Sequence, residues 1–249
     1  MRDPYLYEDC NILRNKKGIK DASMLDKAET EYACCSLREL ALTPLPGSYD
    51  FSHYCAMHRF IFQDLYDWAG IPRTVPMEKE EAVLGYMSIE YAQPERIRAE
   101  GEAVLQRMNR REWDKMDLPT QAKYLAADTA DLWKVHSFRE GNTRTTITFI
   151  CQFADSHNMP IDRELFERNP GYVRNALVAA TAVFADADLR KPEYLEKIIR
   201  DGLERAAERR EPQDKTMSLD EWRDMIKQER GQGRQTGSAP RSRTTEKDR

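Results

Sequence analysis

The chain has 249 residues, 40% of them hydrophobic and 9% aromatic, which is enough for one well-cored domain with some periphery and excludes a wholly disordered chain. A net charge of −4 gives no reason to expect bulk affinity for nucleic acid, and no apolar run approaches the roughly 18–20 residues of a membrane helix. Five scattered cysteines without a CxxC pair, beside four histidines, exclude a zinc framework.

The first residues, Met1-Arg2-Asp3-Pro4-Tyr5, carry charge with no apolar block behind them, so no secretory leader is expected. Cys10, Cys34, Cys35, Cys55 and Cys151 then read as reduced thiols of a cytoplasmic chain, most of them buried as small hydrophobes. Met24, Leu25, Ala28, Tyr32, Cys35 and Leu40 recur at spacings of three and four, which predicts a helix over 24–40 with one inward face. Asp21 and Ser23 stand where its N-cap belongs, and Pro44, Pro46 and Gly47 close it. A second amphipathic helix is expected over 51–69, with Tyr54, Met57, Phe60, Ile61, Leu65 and Trp68 inward, ended by Gly70 and Pro72.

The interval 73–91 has a different pattern. Arg73-Thr74-Val75-Pro76 and Leu84-Gly85-Tyr86-Met87 read as extended, joined by the charged Glu78-Lys79-Glu80-Glu81, so a short β-hairpin is expected to project from the helical body. Helical patterns resume over 94–108, 119–135, 143–158, 162–168, 170–185 and 192–209. The class is therefore all-α. Ser218 with Glu221 forms a capping box that could open one short helix. The tail 210–249 is charged, and from Arg230 it has no large apolar side chain to offset its ordering entropy; a disordered terminus is expected there.

The chemistry is concentrated in Val135-His136-Ser137-Phe138-Arg139-Glu140-Gly141-Asn142-Thr143-Arg144-Thr145-Thr146, a tight loop between two helical patterns. Gly141 and Asn142 tolerate positive φ, which lets successive amides converge. The free N–H groups and dipole of the following helix then complete an anion site. Arg144 can fork onto phosphate oxygens, with the Thr145 and Thr146 hydroxyls near the same turn. Glu140 is a hard oxygen ligand that suits Mg²⁺ between phosphates, and His136 has the ordinary pKa of a general base near neutrality. Phe138 reads as a buried peg. A histidine at a helix end by itself serves as a C-cap. The acid, Gly-Asn pair and arginine that follow point instead to phosphoryl or nucleotidyl transfer.

His-Ser-Phe-Arg-Glu-Gly-Asn-Thr-Arg over 136–144 resembles the signature of the Fic family, whose usual form is His-Pro-Phe-x-Asp/Glu-Gly-Asn-Gly-Arg-x-x-Arg. Trp68-Ala69-Gly70 and Arg73-Thr74-Val75 upstream agree with it, and the likeness extends over about residues 5–200. The resemblance implies a Fic-type helical bundle, with an N-terminal helical part over 1–50 and a core over 51–209 carrying a β-hairpin flap at about 73–91 and the motif at 136–147. It further implies protein adenylylation, the transfer of AMP from Mg²⁺-bound ATP to a Ser, Thr or Tyr hydroxyl of a target protein. In that scheme His136 deprotonates the hydroxyl and Glu140 holds the metal. Arg139, Gly141, Asn142, Thr143, Arg144 and Thr145 form the phosphate cradle, and Tyr172 and Asn175 contribute to the base pocket. Thr74, Val75, Lys79, Tyr86 and Met87 belong to the flap that registers the target by strand addition.

Ser137 replaces the usual proline, Thr143 the second glycine and Ile147 the second arginine, which removes one charge-assisted contact worth roughly 1.5–3 kcal/mol. The family's restraining pattern, Ser/Thr-x-x-x-Glu-Gly/Asn, is absent from the sequence, so the chain is expected to be unrestrained or held by a separate small inhibitory protein. Two other readings remain open at this point: transfer of UMP or a phosphoryl group, and a non-catalytic nucleotide- or protein-binding module. A DNA-associated role for the basic tail has little behind it. Delivery into another cell, as a toxin or effector, is compatible with the sequence.

Overall fold

Three aspartates set the starts of the helices that carry the site. In the computed structural model, which describes residues 3–184 and 187–210, the Met24 amide donates to Asp21 Oδ1 (2.9 Å), His53 N to Asp50 Oδ1 (2.8 Å) and Thr120 N to Asp117 Oδ1 (3.0 Å). These caps open α1 (Ala22–Leu42), α2 (Phe51–Phe62) and α4 (Leu118–Val135). Between α2 and α4 lies α3 (Ile97–Asn109), entered through a 3-10 turn whose Pro94 supplies a preset φ. Then follow α5 (Asn142–Ser156), α6 (Arg163–Arg168), α7 (Pro170–Thr181) and α8 (Glu193–Arg210). No described helix is long and apolar enough to cross a membrane.

The bundle is built around α4, which packs on α3, α5 and α7, while α2 packs on α1 and α5. Trp113, Trp133, Tyr54, Phe138, Phe149 and Phe153 fill the space between them, all essentially inaccessible. Edge-to-face contacts of Phe149 with Tyr54 (5.3 Å) and of Trp113 with Phe153 (5.8 Å) join α5 to its neighbours. The buried carboxylate of Asp128 on α4 is satisfied by two arginines from the α3 side, Arg107 Nε at 2.7 Å and Arg111 Nε at 2.9 Å. That tie fixes the helix whose C-terminus carries the histidine.

The structure differs from several expectations. The inward face of α1 is Leu25, Glu29, Ala33 and Leu40, whereas Met24 and Cys35 are exposed. Of the thiols only Cys151 is buried; Cys34 and Cys35 are exposed, and Cys10 and Cys55 are half-buried. Helix α2 stops at Phe62, and tight turns closed by Leu65 N to Phe62 O (3.1 Å) and Ile71 N to Trp68 O (3.0 Å) carry the chain past Gly70, with Leu65, Tyr66 and Trp68 buried. The flap has no paired strands among the described residues. It is a loop closed by the single antiparallel bridge Glu81↔Met87 around a 3-10 turn over Ala82–Leu84. Gly85 and Tyr86 both adopt positive φ (64° and 68°), which curls the chain too tightly for a ladder. The helix expected over 170–185 ends at Thr181, beyond which Val183 forms an antiparallel bridge with Asp188. The tail 211–249, with its Ser218–Glu221 capping box, lies outside the described residues.

Replacing Asp128 with Asn leaves two arginines with a weak acceptor. It is expected to lower the unfolding free energy by about 2 kcal/mol, read as a shift of urea midpoint at unchanged m-value.

Candidate active site

The loop between α4 and α5 is held by its own side chains. Asn142 reaches back across it, accepting from Phe138 N at 2.8 Å and donating to Phe138 O at 2.7 Å. Phe138 is fully buried and stacks on the His58 ring at 3.7 Å. His58 Nδ1 accepts the Gly70 amide at 2.8 Å, so its proton sits on Nε2 and is donated to the Glu140 carbonyl at 3.0 Å. Burial holds His58 neutral, with its pKa pushed down to about 3. Gly141 precedes α5 at φ 81°, and a Cβ there would lie 2.3 Å from Cε2 of Phe62. The first turn of α5 begins without a side-chain cap hydrogen bond, which leaves its leading amides to other acceptors.

These groups open onto a cavity of about 950 Å³. Its walls include Glu29 and Leu37 of α1, Lys79 of the flap, His136, the run Glu140–Arg144 and Arg174 of α7. Its three central cations are each paired with a carboxylate. Lys79 Nζ lies 3.4 Å from Glu140 Oε2, Arg174 lies 2.6 Å from Glu81, and Arg144 is bonded to Glu29. Burial raises the pKa of the Glu140 carboxyl, but the charge of Lys79, the Gly141 amide and Arg144 more than offset this and bring it below the usual value.

His136 ends α4 in the left-handed region at φ 50°, a strained conformation for a residue without a glycine's freedom. Its imidazole is 1% exposed, stacks on Tyr91 at 4.0 Å and meets Trp133 edge-on. Neither ring nitrogen has a hydrogen-bond partner among the described residues. Burial, then the charges of Lys79, Arg73 and Arg174, push its pKa well below 6.5. The ordinary near-neutral pKa expected from the sequence is thus displaced, and the ring is a neutral, unpartnered base on the cavity wall beneath the flap. Buried Arg73 fixes this relation by donating to His136 O (2.7 Å), Val75 O (2.6 Å) and Ala92 O, so both roots of the flap hang from the motif.

Residues 48–154 match the Fic/DOC family. The chain is 32% identical over 168 residues to "Probable protein adenylyltransferase y4lH" of Sinorhizobium fredii, covering 67% of this chain and 83% of that one. The chain belongs to the Fic family. It is also 31% identical over 167 residues to the protein adenylyltransferase VbhT of Bartonella schoenbuchensis, but spans only 34% of that relative's length. The fold matches the N-terminal Fic domain of a VirB-translocated Bep effector protein from Bartonella quintana at a TM-score of 0.66 and 22% identity, covering 80% of this chain and 90% of that one. An ADP-bound structure of such a domain from the same organism matches equally well, with 21% identity.

Within the Fic motif, the structure brings His136, Glu140, Gly141, Asn142, Thr143 and Arg144 to one cavity wall, with Lys79 opposite. Other expected site residues lie elsewhere. Arg139 is bonded to Asp3 at 2.8 Å and does not line the cavity. Thr145 is buried and its hydroxyl returns to Gly141 O at 3.0 Å. Tyr172 is exposed, with its hydroxyl 3.3 Å from Tyr194 O, and Asn175 is exposed; on α7 the cavity is lined by Pro170 and Arg174 instead, one helical face away. The left-handed residues are His136 and Gly141, whereas Asn142 already begins the helix. Thr143 is accommodated because its backbone is helical, and its hydroxyl accepts from Trp133 Nε1 at 3.0 Å. On the flap, Val83, Tyr86 and Met87 are exposed, Thr74 is exposed at the root, and Val75 packs inward. His58, Phe62, Glu29 and Tyr66 lacked any functional signal in the sequence, because each reaches the site through contacts distant in the chain; Arg73 was legible only as part of the flap's family likeness, and its bond to His136 O, 63 residues away, was not.

No cluster of three or more metal-competent side chains occurs among the described residues. The donor set still fits Mg²⁺, which takes one carboxylate and completes its shell with phosphate and water. Glu140 offers that carboxylate.

Two outcomes are expected here. Gly141→Ala combines positive-φ strain with a clash against Phe62, so it should cost about 2 kcal/mol or more in thermal unfolding and abolish ADP binding by calorimetry. Because His58 and His136 stay neutral when folded, the unfolded chain takes up protons that the native state refuses as pH falls below about 6.5. Stability is intact above that pH and declines from about 6.5 toward 3, and His58→Gln should flatten part of the fall in Tm.

Proposed function

We propose that this chain transfers AMP from Mg²⁺-bound ATP to a Ser, Thr or Tyr hydroxyl of another protein. The observation that carries the reading is the convergence on one cavity of the uncapped start of α5, the Glu140 carboxylate and an unpartnered imidazole. The relatives' adenylyltransferase names and the ADP in one related Fic structure support a nucleotide with at least two phosphates as ligand.

The amides of the first turn of α5 and the Arg144 guanidinium take the phosphates, with the helix dipole adding to the field. Glu140 would hold Mg²⁺, which when bound would supply positive charge against the phosphates. A target hydroxyl attacks the α-phosphorus, the bond to the bridging oxygen of the β-phosphate breaks, and pyrophosphate leaves. His136 accepts the hydroxyl proton. A buried imidazole with two unsatisfied nitrogens is costly and rare, and a proton acceptor kept for an incoming hydroxyl accounts for it. The flap covers His136, so the target must displace the segment around Lys79 and Tyr91 to reach it. Exposed Val83, Tyr86 and Met87 give that segment an apolar outer surface for the target chain.

Ile147, half-buried against the core where the Fic pattern has its second arginine, favours a second reading in which nucleotide is bound without turnover. ATP labelled at the α-phosphate separates the two. The proposed reaction leaves α-label on protein and γ-label in pyrophosphate, whereas γ-label on protein indicates phosphoryl transfer and no label indicates a binding module. His136→Ala is expected to reduce α-labelling by roughly 10²–10⁴-fold without loss of ADP affinity.

A further inference from the structure

Resting on the nucleotide reading above, we infer that Glu29, on the N-terminal helix, is a positioning residue that sets Arg144 as the phosphate clamp. Glu29 is 9% exposed, on the inward face of a helix whose other buried positions are Leu25, Ala33 and Leu40. A carboxylate is expensive there unless it is paired. Its two oxygens are shared between the Tyr66 hydroxyl and the Arg144 guanidinium, which are its hydrogen-bond partners. Tyr66 is fully buried, packed on Trp68 at 4.3 Å, and cannot follow a moving partner. The acid is thus anchored from behind and presents its second oxygen to Arg144.

Arg144 is held from two directions. The ring of Phe62 lies 4.9 Å from its Cζ, and Glu29 takes one edge of the guanidinium. Its side chain remains 32% exposed and lines the cavity, so donors on its other edge are available to an anion. A free arginine loses much rotamer freedom on gripping phosphate; one already fixed by an aromatic face and a buried acid loses less. The requirement is sharper here because Ile147 leaves Arg144 as the arginine that α5 itself brings to the cavity. Glu29 also removes net charge from the clamp. Placement outweighs that loss because the carboxylate is bonded through Nη2 alone, which leaves the guanidinium's other donors for an anion.

The test is a double-mutant cycle on the full chain, with ADP and ATP affinities measured by calorimetry in Mg²⁺ beside thermal melting. Glu29→Gln keeps the shape and the Tyr66 contact while removing the charge that holds the guanidinium. It is expected to weaken ADP roughly tenfold and to raise KM for ATP with kcat nearly unchanged. In an Arg144→Ala background the same change is expected to do nothing further to affinity. Unchanged or tighter binding by Glu29→Gln overturns the inference, the latter marking Glu29 as a restraint. An equal loss in the Arg144→Ala background also overturns it, because the effect would then be on the fold and not on the clamp. If Glu29→Gln does not fold, Tyr66→Phe, which loosens the acid without removing it, is expected to weaken ADP by a few fold, and unchanged affinity refutes the role. A parent protein that binds neither ADP nor ATP refutes the nucleotide reading itself, a result visible before any variant is compared.

Discussion

The site depends on the approach of α2 to the loop that starts α5. One turn of α2 brings His58 onto Phe138 and the Glu140 carbonyl, and the next brings Phe62 against Gly141 and under Arg144. The loop cannot settle against these rings with a side chain at 141, and the arginine has no comparable platform without Phe62. A hydrogen bond to a main-chain carbonyl and an aromatic face thus place the functional groups more firmly than the loop's own short sequence could. Gly70, whose amide fixes the tautomer of His58, makes the turn after α2 part of the same arrangement.

The three cations at the centre of the cavity are internally paired. Lys79, Arg144 and Arg174 each face a carboxylate, so the site does not carry the unopposed positive field that would bind any anion indiscriminately. A polyphosphate must compete with Glu140 for Lys79, and a cation must compete with Lys79 for Glu140. In the proposed reaction, nucleotide and metal arriving together would satisfy both groups, which neither would alone. His136 is the exception to this balance. It has no partner, sits in a strained backbone conformation and is covered by a flap rooted in Arg73, features that a purely structural histidine would not retain.

Much was legible in the chain itself. Periodicity located the helices, and Asp21 marks an N-cap where the structure has it. The string from His136 to Arg144 named most groups that meet in the cavity, because a loop leading into a helix gathers its own amides and neighbours by local geometry alone. Local logic failed where a residue's partner was distant. Arg139 has the right neighbours in sequence but pairs with Asp3, and Tyr172 lies one face away from the cavity that Arg174 reaches. The flap has strand-like composition but curls through two left-handed residues, which no alternation pattern encodes.

The sequence by itself determined the helical class, the family signature and the turn that opens α5, all of which follow from contacts within a few residues or from periodicity along one helix. Only the tertiary structure decided which groups stand behind that turn: Glu29 from 115 residues away, Arg73 from 63 and His58 from 82. It also decided that His136 is covered and neutral, and that Lys79, Arg144 and Arg174 are paired with carboxylates. The reason is physical. Burial and charge pairing are properties of what several distant segments bring to one place, and a linear pattern carries no record of them until the bundle closes.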